Sequence, residues 1–268
     1  MELKNYYWYF KGALSKDVCN KIINLGTSTI EDDKKNNIDT NATTFGDKQK
    51  LSENSISQGE RTTVDLKNVD KSKMHIRDSE IAWLTDQWLY DTIMPLVLDA
   101  NNSAGWKYEF HTQEKFQFTT YHSPGGFYGW HNDMASDHHA KMKRYIHGLT
   151  DVPIRKNGLL PFGYTKDEDM VGTIRKLSVT VNLTDTNDYK GGDLKFDLGK
   201  HHSDDQFHDV LEARQQGTVI VFPSFMQHCV TPVTEGTRYS LVLWCSGRPF
   251  RWVQLIFLEK INTLLLEI

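Results

Sequence analysis

Cysteine is scarce in this 268-residue chain: Cys19, Cys229 and Cys245 are an odd number, widely separated and without a CxxC spacing. That excludes a disulfide framework and fits a reducing compartment. Basic charge is short as well. Thirty-one Lys and Arg stand against 35 Asp and Glu, a net charge of −4, so no positive field marks nucleic acid as a partner. Long apolar runs are missing. The most apolar stretch, "RWVQLIFLEKINTLLLEI" at 251–268, is broken by Glu259 and Lys260 and is too short to span a bilayer. The N-terminal "MELKNYYWYFKGAL" has early charges and no apolar core, so no signal peptide is expected. A cytoplasmic protein with no membrane partner is the resulting expectation. Its length suffices for a sizeable hydrophobic core.

What is present falls into two textures. Residues 1–29 combine an aromatic strand-like run, Tyr6 to Phe10, with a helix for which Ser15 is the N-cap and Val18, Ile22, Ile23 and Leu25 the apolar stripe. Residues 30–60 are polar and read as a long loop. Residues 79–99 carry Ile81, Leu84, Trp88, Leu89 and Ile93 at helical spacing, with Pro95 ending or kinking the helix. Beyond them come short β-branched and aromatic segments punctuated by glycine and proline: "EKFQFTTYHS", "RKLSVTVNLTD", "GGDLKFDLG", "GTVIVFPS" and "TRYSLVLWCSG". Strands at that spacing argue for a sandwich or barrel. A polar insertion, 134–174, has no clear period and reads as a functional loop.

The chemistry gathers in "YGWHND" and "FPSFMQHCVTPVTEGTRYSLVLW". On a strand His131 and Asp133 share one face. An HxD pair alone says little, because most such histidines are solvated. With His228 after the turn at Pro223-Ser224, however, two imidazoles and one carboxylate make the facial triad suited to non-haem Fe(II). Arg238, on an otherwise apolar strand, needs a buried anion, and its planar fork suits a carboxylate. Ser240 and Trp244 fall on the same face of that strand.

These segments together resemble the 2-oxoglutarate- and Fe(II)-dependent dioxygenases, in their prolyl 4-hydroxylase-like branch with the bacterial PKHD-type hydroxylases. The likeness runs over about half the chain, through the HxD, GGDL, FPS, H-x-V-x-P-V and G-x-R-x-S elements; "QGERTTVDL" and "YFKGALSKDVCNKIINLG" are less distinctive lead-in. It implies a mainly β fold with flanking helices (α+β), a double-stranded β-helix or jelly-roll core. The chain is then one domain: a helical and loop lead-in over 1–104, the core over 105–248 with its insertion, and a C-terminal helix over 249–268. By the same resemblance His131, Asp133 and His228 ligate iron and Arg238 pairs with the distal carboxylate of 2-oxoglutarate. Tyr121 lies beside that cosubstrate. Thr180 or Asn182 stands where some relatives have a tyrosine, so that Ser240 could replace its hydroxyl. Fe(II) and 2-oxoglutarate are the implied cofactors, with ascorbate as an optional reductant. The implied reaction is hydroxylation of a C–H bond, in a prolyl residue of a peptide or protein, with release of succinate and carbon dioxide.

Other readings stand beside these. A free amino acid or small metabolite is an alternative substrate; a non-catalytic binding or sensor module and a cupin-like enzyme using another metal are alternative functions. Against both stands the joint retention of the triad and Arg238. His138, His139, His201, His202 and His208 read as solvated loop residues, Cys229 as a packing residue pointing away from His228, and Gly191-Gly192 as a structural turn. Tyr128 and Trp130 are either core or substrate-facing aromatics.

Overall fold

The computed structural model describes residues 3–42, 77–134, 141–146, 164–199 and 206–250. The "QGERTTVDL" segment, His138, His139, His201, His202 and the expected C-terminal helix fall outside them, apart from residues 249 and 250 of the last.

Two antiparallel sheets face each other. The larger follows the order β1 (Trp8–Phe10), β13 (Val219–Pro223), β9 (Ile174–Asn182), β15 (Val233–Gly247), β5 (Phe116–His122) and β3 (Glu80–Leu84); β4 (Thr112–Gln113) and β10 (Tyr189–Gly191) add to β15. The smaller runs β12 (Phe207–Asp209), β11 (Leu194–Asp197), β14 (Gln227–Val230), β6 (Phe127–His131) and β2 (Arg77–Asp78). Consecutive strands cross from one sheet to the other: β2 to β3, β5 to β6, and β13 to β14 to β15. That is the wrapping of a jelly roll.

The larger sheet has two unlike faces, because side chains alternate along a strand. Leu241, Leu243 and Cys245 of β15, with Leu177, Val179 and Val181 of β9, turn outward into the main core. Helices α1 (Lys16–Lys35) and α2 (Gln87–Ser103) cover that face through Cys19, Ile22, Ile30, Leu89, Ile93 and Val97. The fit against α1 is close. A Cβ on Gly26 would lie 2.2 Å from the Phe118 ring, so a larger residue there would push the helix off the sheet. The other face looks into the sandwich, where Ile220 and Phe222 meet Leu194 and Phe196 of the smaller sheet in a second core.

Several sequence readings need correction. Ser15 does cap α1, accepting a hydrogen bond from the Val18 amide, but the helix continues through Lys35 into the segment read as loop. The pattern at 79–99 is split. Ile81 and Leu84 lie on β3, and the helix begins only at Gln87, with Pro95 inside it. The lost hydrogen bond at Pro95 is tolerated because Leu89, Ile93 and Val97 keep the helix anchored. The aromatic strand is confined to Trp8–Phe10. The lead-in is more than helix and loop, since β1, β2 and β3 extend the sheets. The insertion holds a short parallel pair, β7 (Lys143–Arg144) with β8 (Tyr164–Thr165), and its last residue opens β9. His208 is not a solvated loop residue. It lies on β12, half-buried, with its Nε2 3.0 Å from the Tyr7 hydroxyl. Among the described residues, no helix is long and apolar enough to cross a membrane.

Candidate metal and cosubstrate site

His131 closes β6 and His228 lies on β14, directly opposite it in the register of the smaller sheet. Cross-strand partners point to the same side, so the two rings converge, with centroids 4.2 Å apart. Asp133 follows two residues after His131. Its amide and that of Met134 both donate to the Ser224 carbonyl, at 2.9 and 3.0 Å, which hangs the loop from the β13–β14 turn. Ser224 is itself tied to β9: its amide donates to the Lys176 carbonyl, and its hydroxyl bonds that of Ser178. The FPS segment therefore acts as a bracket for the carboxylate. Asp133 Oδ1 lies 3.6 Å from His131 Nε2 and Oδ2 3.7 Å from His228 Nε2. All three candidate ligand atoms fall within 4.8 Å of one another.

The protonation state suits a cation. Each Nδ1 faces a backbone carbonyl, His131 to Gly129 at 2.7 Å and His228 to Met226 at 3.0 Å. A carbonyl only accepts, so Nδ1–H donates and each neutral ring keeps its lone pair on Nε2, toward Asp133. Burial pushes the His131 pKa down to about 3, helped by His228, which keeps the imidazole neutral. Burial alone would push the Asp133 carboxyl up. His228, His131 and Arg175 outweigh it and hold the group below the ordinary carboxylate value. The result is two imidazole nitrogens and one carboxylate converging on one point, a donor set that fits Fe(II).

Arg238 lies on β15 of the larger sheet, on the face opposite Leu241 and Leu243 and so toward the smaller sheet. It is 3% exposed, and among the described residues neither Nε nor Nη1 has a hydrogen-bond partner. Its register partner is Tyr121, whose ring centroid lies 5.5 Å from the guanidinium carbon. Gly192 gives the arginine its room: φ is +65° there, and a Cβ would stand 2.8 Å from Arg238 Cδ. Ser240 follows on the same face, 2% exposed. Thr180 is half-buried on β9, opposite Val242. The Asn182 amide instead donates to the Thr184 and Arg214 carbonyls, leaving Thr180 as the better placed of the two alternatives. Trp244 lies beneath Arg175, whose guanidinium carbon is 3.9 Å from its ring, and its Nε1 has no partner among the described residues. The Gly191-Gly192 turn and the burial of Cys229, 0% exposed and opposite Lys195 on the face of the smaller sheet away from His228, agree with the sequence reading.

Three residues at the site, Arg175, Glu114 and Arg77, went unnoticed in the sequence. Arg175 forms a two-pronged pair with Glu114, both contacts 2.6 Å, and donates to the Asp133 carbonyl at 3.3 Å. Tyr128 stacks on His131 with ring centroids 3.5 Å apart, whereas Trp130 packs against Phe207. Arg77, 7% exposed, lies over the Tyr128 ring at 4.5 Å. Only contacts between residues far apart in the chain bring these groups together, so no local motif marks them.

The sequence profile of the 2OG-Fe(II) oxygenase superfamily matches residues 116–246. A PKHD-type hydroxylase of Synechococcus sp. (strain CC9605) is 32% identical over 126 residues, which cover 47% of this chain and 39% of that protein. PKHD-type hydroxylase YbiX of Shigella sonnei is 35% identical over 71 residues, 26% of this chain and 28% of its own. The aligned part thus spans well under half the length of these relatives. In structure the chain is similar to a viral collagen prolyl hydroxylase of Paramecium Bursaria Chlorella virus-1 (TM-score 0.51, 17% identity, 91% of this chain and 97% of that one). It is also similar to a prolyl-4-hydroxylase of Pseudomonas putida (TM-score 0.50, 18% identity, 92% and 95%). A Trichoplax adhaerens prolyl hydroxylase, solved with a hypoxia inducible factor peptide fragment, gives TM-score 0.51 at 13% identity, over 90% and 84%. At such identities the structural likeness speaks for the fold.

Proposed function

We propose, from the match of the 2OG-Fe(II) oxygenase superfamily profile to residues 116–246, that this chain is a dioxygenase hydroxylating a prolyl residue of a peptide or protein, with 2-oxoglutarate converted to succinate and carbon dioxide. Arg238 is the observation that carries the reading. A guanidinium with two unpartnered buried donors on the sandwich-facing side of β15, together with a two-histidine, one-carboxylate ligand set on the smaller sheet, supports a ligand that is chelating at one end and carboxylate at the other.

In this reading His131, Asp133 and His228 hold Fe(II), and Arg238, with Ser240, Tyr121 and Thr180 around it, holds the distal carboxylate of 2-oxoglutarate. Together the metal and cosubstrate supply activation of dioxygen for attack on a C–H bond. The chain's own part is placement. The Gly129 and Met226 carbonyls fix both imidazoles in the ligating tautomer. The Ser224 bracket and the Glu114–Arg175 pair fix the loop that carries Asp133. Phe222 and Phe196 pack edge-on to each other between the sheets and keep water from the back of His228. The peptide substrate is inferred from the Trichoplax adhaerens prolyl hydroxylase, which was solved in complex with a peptide fragment.

The test is anaerobic addition of Fe(II) and 2-oxoglutarate to metal-free protein, then air, with succinate quantified and proline peptides analysed for a gain of one oxygen. Wild type is run beside His131→Ala and Arg238→Ala. Succinate from wild type and from neither variant, with hydroxylated peptide, is expected. Absence of 2-oxoglutarate binding by wild type would reject the reading, and succinate without any hydroxylated proline would reject the substrate.

A further inference from the structure

Arg77 is a buried cation that the metal and cosubstrate site leaves unexplained. It opens β2 at the edge of the smaller sheet and reaches across the corner of the sandwich to the larger one. Nε donates to Ser79 Oγ at 2.8 Å, and Nη2 donates to Gln117 Oε1 at 2.8 Å and Thr119 Oγ1 at 3.3 Å. All three acceptors are neutral, and among the described residues no carboxylate pairs with it. Its neighbours Asp78 and Glu80 are committed elsewhere: Asp78 is exposed, and Glu80 pairs with Lys34 and His122. Nη1 takes no hydrogen bond among the described residues.

A corner clip needs donors but no charge; an amide would serve. Burying a full guanidinium against uncharged acceptors is unfavourable unless an anion arrives. The place where it would arrive is defined by the stack of side chains. Arg77 lies over Tyr128, Tyr128 lies on His131, and His131 meets His228. Arg77 is thus one ring removed from the metal-ligating face.

Charge balance points the same way, given the function proposed above. Fe(II), Arg238 and Arg77 bring four positive charges, while Asp133 and doubly charged 2-oxoglutarate bring three negative ones. Arg175 is already neutralised by Glu114. One positive charge is left over in the loaded site. We propose that Arg77 is a substrate-recognition residue, and that the substrate presents a carboxylate to it beside the position to be oxidised. An acidic side chain next to proline and a free terminal carboxylate share this chemistry.

The experiment separates them. Full-length protein loaded with Zn(II) and 2-oxoglutarate, which cannot turn over, is immobilised and offered one mixture of proline pentapeptides. Capped members carry Asp or Glu beside the proline, their partners carry Asn or Gln, and a further pair ends in proline as the free acid or the amide. Retained peptides are counted by mass spectrometry. Wild type is expected to favour one acidic class over its amide partner by about tenfold or more, the discrimination that one hydrogen bond to a charged group supplies. Arg77→Gln abolishes the preference, and Arg77→Lys keeps part of it. Gln117→Glu supplies Arg77 with an internal carboxylate at hydrogen-bonding distance without removing it, and also abolishes the preference. Thermal unfolding verifies that this variant is folded even where Arg77→Gln is not. Equal retention of acid and amide by wild type, no retention of either, or a preference surviving in folded Gln117→Glu overturns the proposal. Hydroxylation of neutral proline peptides without acid preference would leave the proposed function and remove this inference. Acid-selective retention without succinate from the Fe(II) protein would do the reverse.

Discussion

Replacing Arg238 by methionine should stabilise the empty protein and weaken the loaded one. In the absence of ligand, Nε and Nη1 of Arg238 are buried without partners. Each such donor costs about 1–3 kcal/mol. Methionine keeps a similar stem length and leaves no donor unsatisfied. Some packing is lost, so the net gain expected for metal-free, cosubstrate-free protein is about 2 kcal/mol. For a chain of this size that corresponds to a Tm rise of about 4–8 °C. Saturating 2-oxoglutarate reverses the order. A ligand at a hundredfold excess over its Kd adds about 2.7 kcal/mol to wild type and little to the variant, whose clamp is gone. Melting curves of both proteins, in chelator and then at fixed Mn(II) with and without 2-oxoglutarate, should therefore cross. An Arg238→Met protein that melts well below wild type in chelator would refute the reasoning, because it would mean that the guanidinium is already satisfied by the fold.

Four further outcomes are expected. Gly192→Ala should lower 2-oxoglutarate affinity about tenfold or more, since its Cβ would press on Arg238 Cδ at 2.8 Å and the +65° φ disfavours a side chain; a calorimetric titration measures it, and unchanged affinity would show that Arg238 does not hold the cosubstrate. Glu114→Gln should cost about 3 kcal/mol by leaving Arg175 buried beside Asp133 without its counter-charge; denaturant unfolding reads the loss, and a change below about 1 kcal/mol would demote the pair. Asp133→Asn should weaken Co(II) binding by at least about a hundredfold, followed by visible absorption, because the set would lose its only anionic donor. Burial pushes the Cys229 and Cys245 thiols up to about 12, from an ordinary value of 9.0. The unfolded chain therefore releases these protons first, and stability should fall as pH rises from about 9 toward 12. A disulfide-exchange reagent should titrate the thiols at pH 8 only after denaturant is added; rapid labelling of native protein would contradict their burial.

The site residues legible in the sequence were those whose spacing is itself structural. His131 and Asp133 advertise themselves because they stand two apart at a strand end, and Arg238 because a cation in "RYSLVLW" contradicts its apolar setting. Their convergence was not legible from spacing alone. It depends on the register that sets His228 against His131 and on the fold that brings β15 across from them. Arg77, Glu114 and Arg175 escaped notice for the same reason. Arg175 meets its carboxylate 61 positions away, and Arg77 meets Gln117 across 40. The helical reading of 79–99 failed because Ile81 and Leu84, three apart, fit one helical face. On β3 they point to opposite faces instead, and the buried alternation falls on Ala82 and Leu84. Only pairing with β5, which no local pattern encodes, decides between helix and strand.

The Ser224 bracket has a consequence for how such a protein can change over generations. The Asp133 and Met134 amides are fastened to the β13–β14 turn immediately before the chain departs into its insertion. On the returning side Met142 exchanges backbone hydrogen bonds with Thr173 and Gly172, next to the start of β9. Sequence can therefore be added, removed or exchanged between these two moorings without retuning the carboxylate. Lineages can thus diverge in this segment while the reactive centre stays as it was.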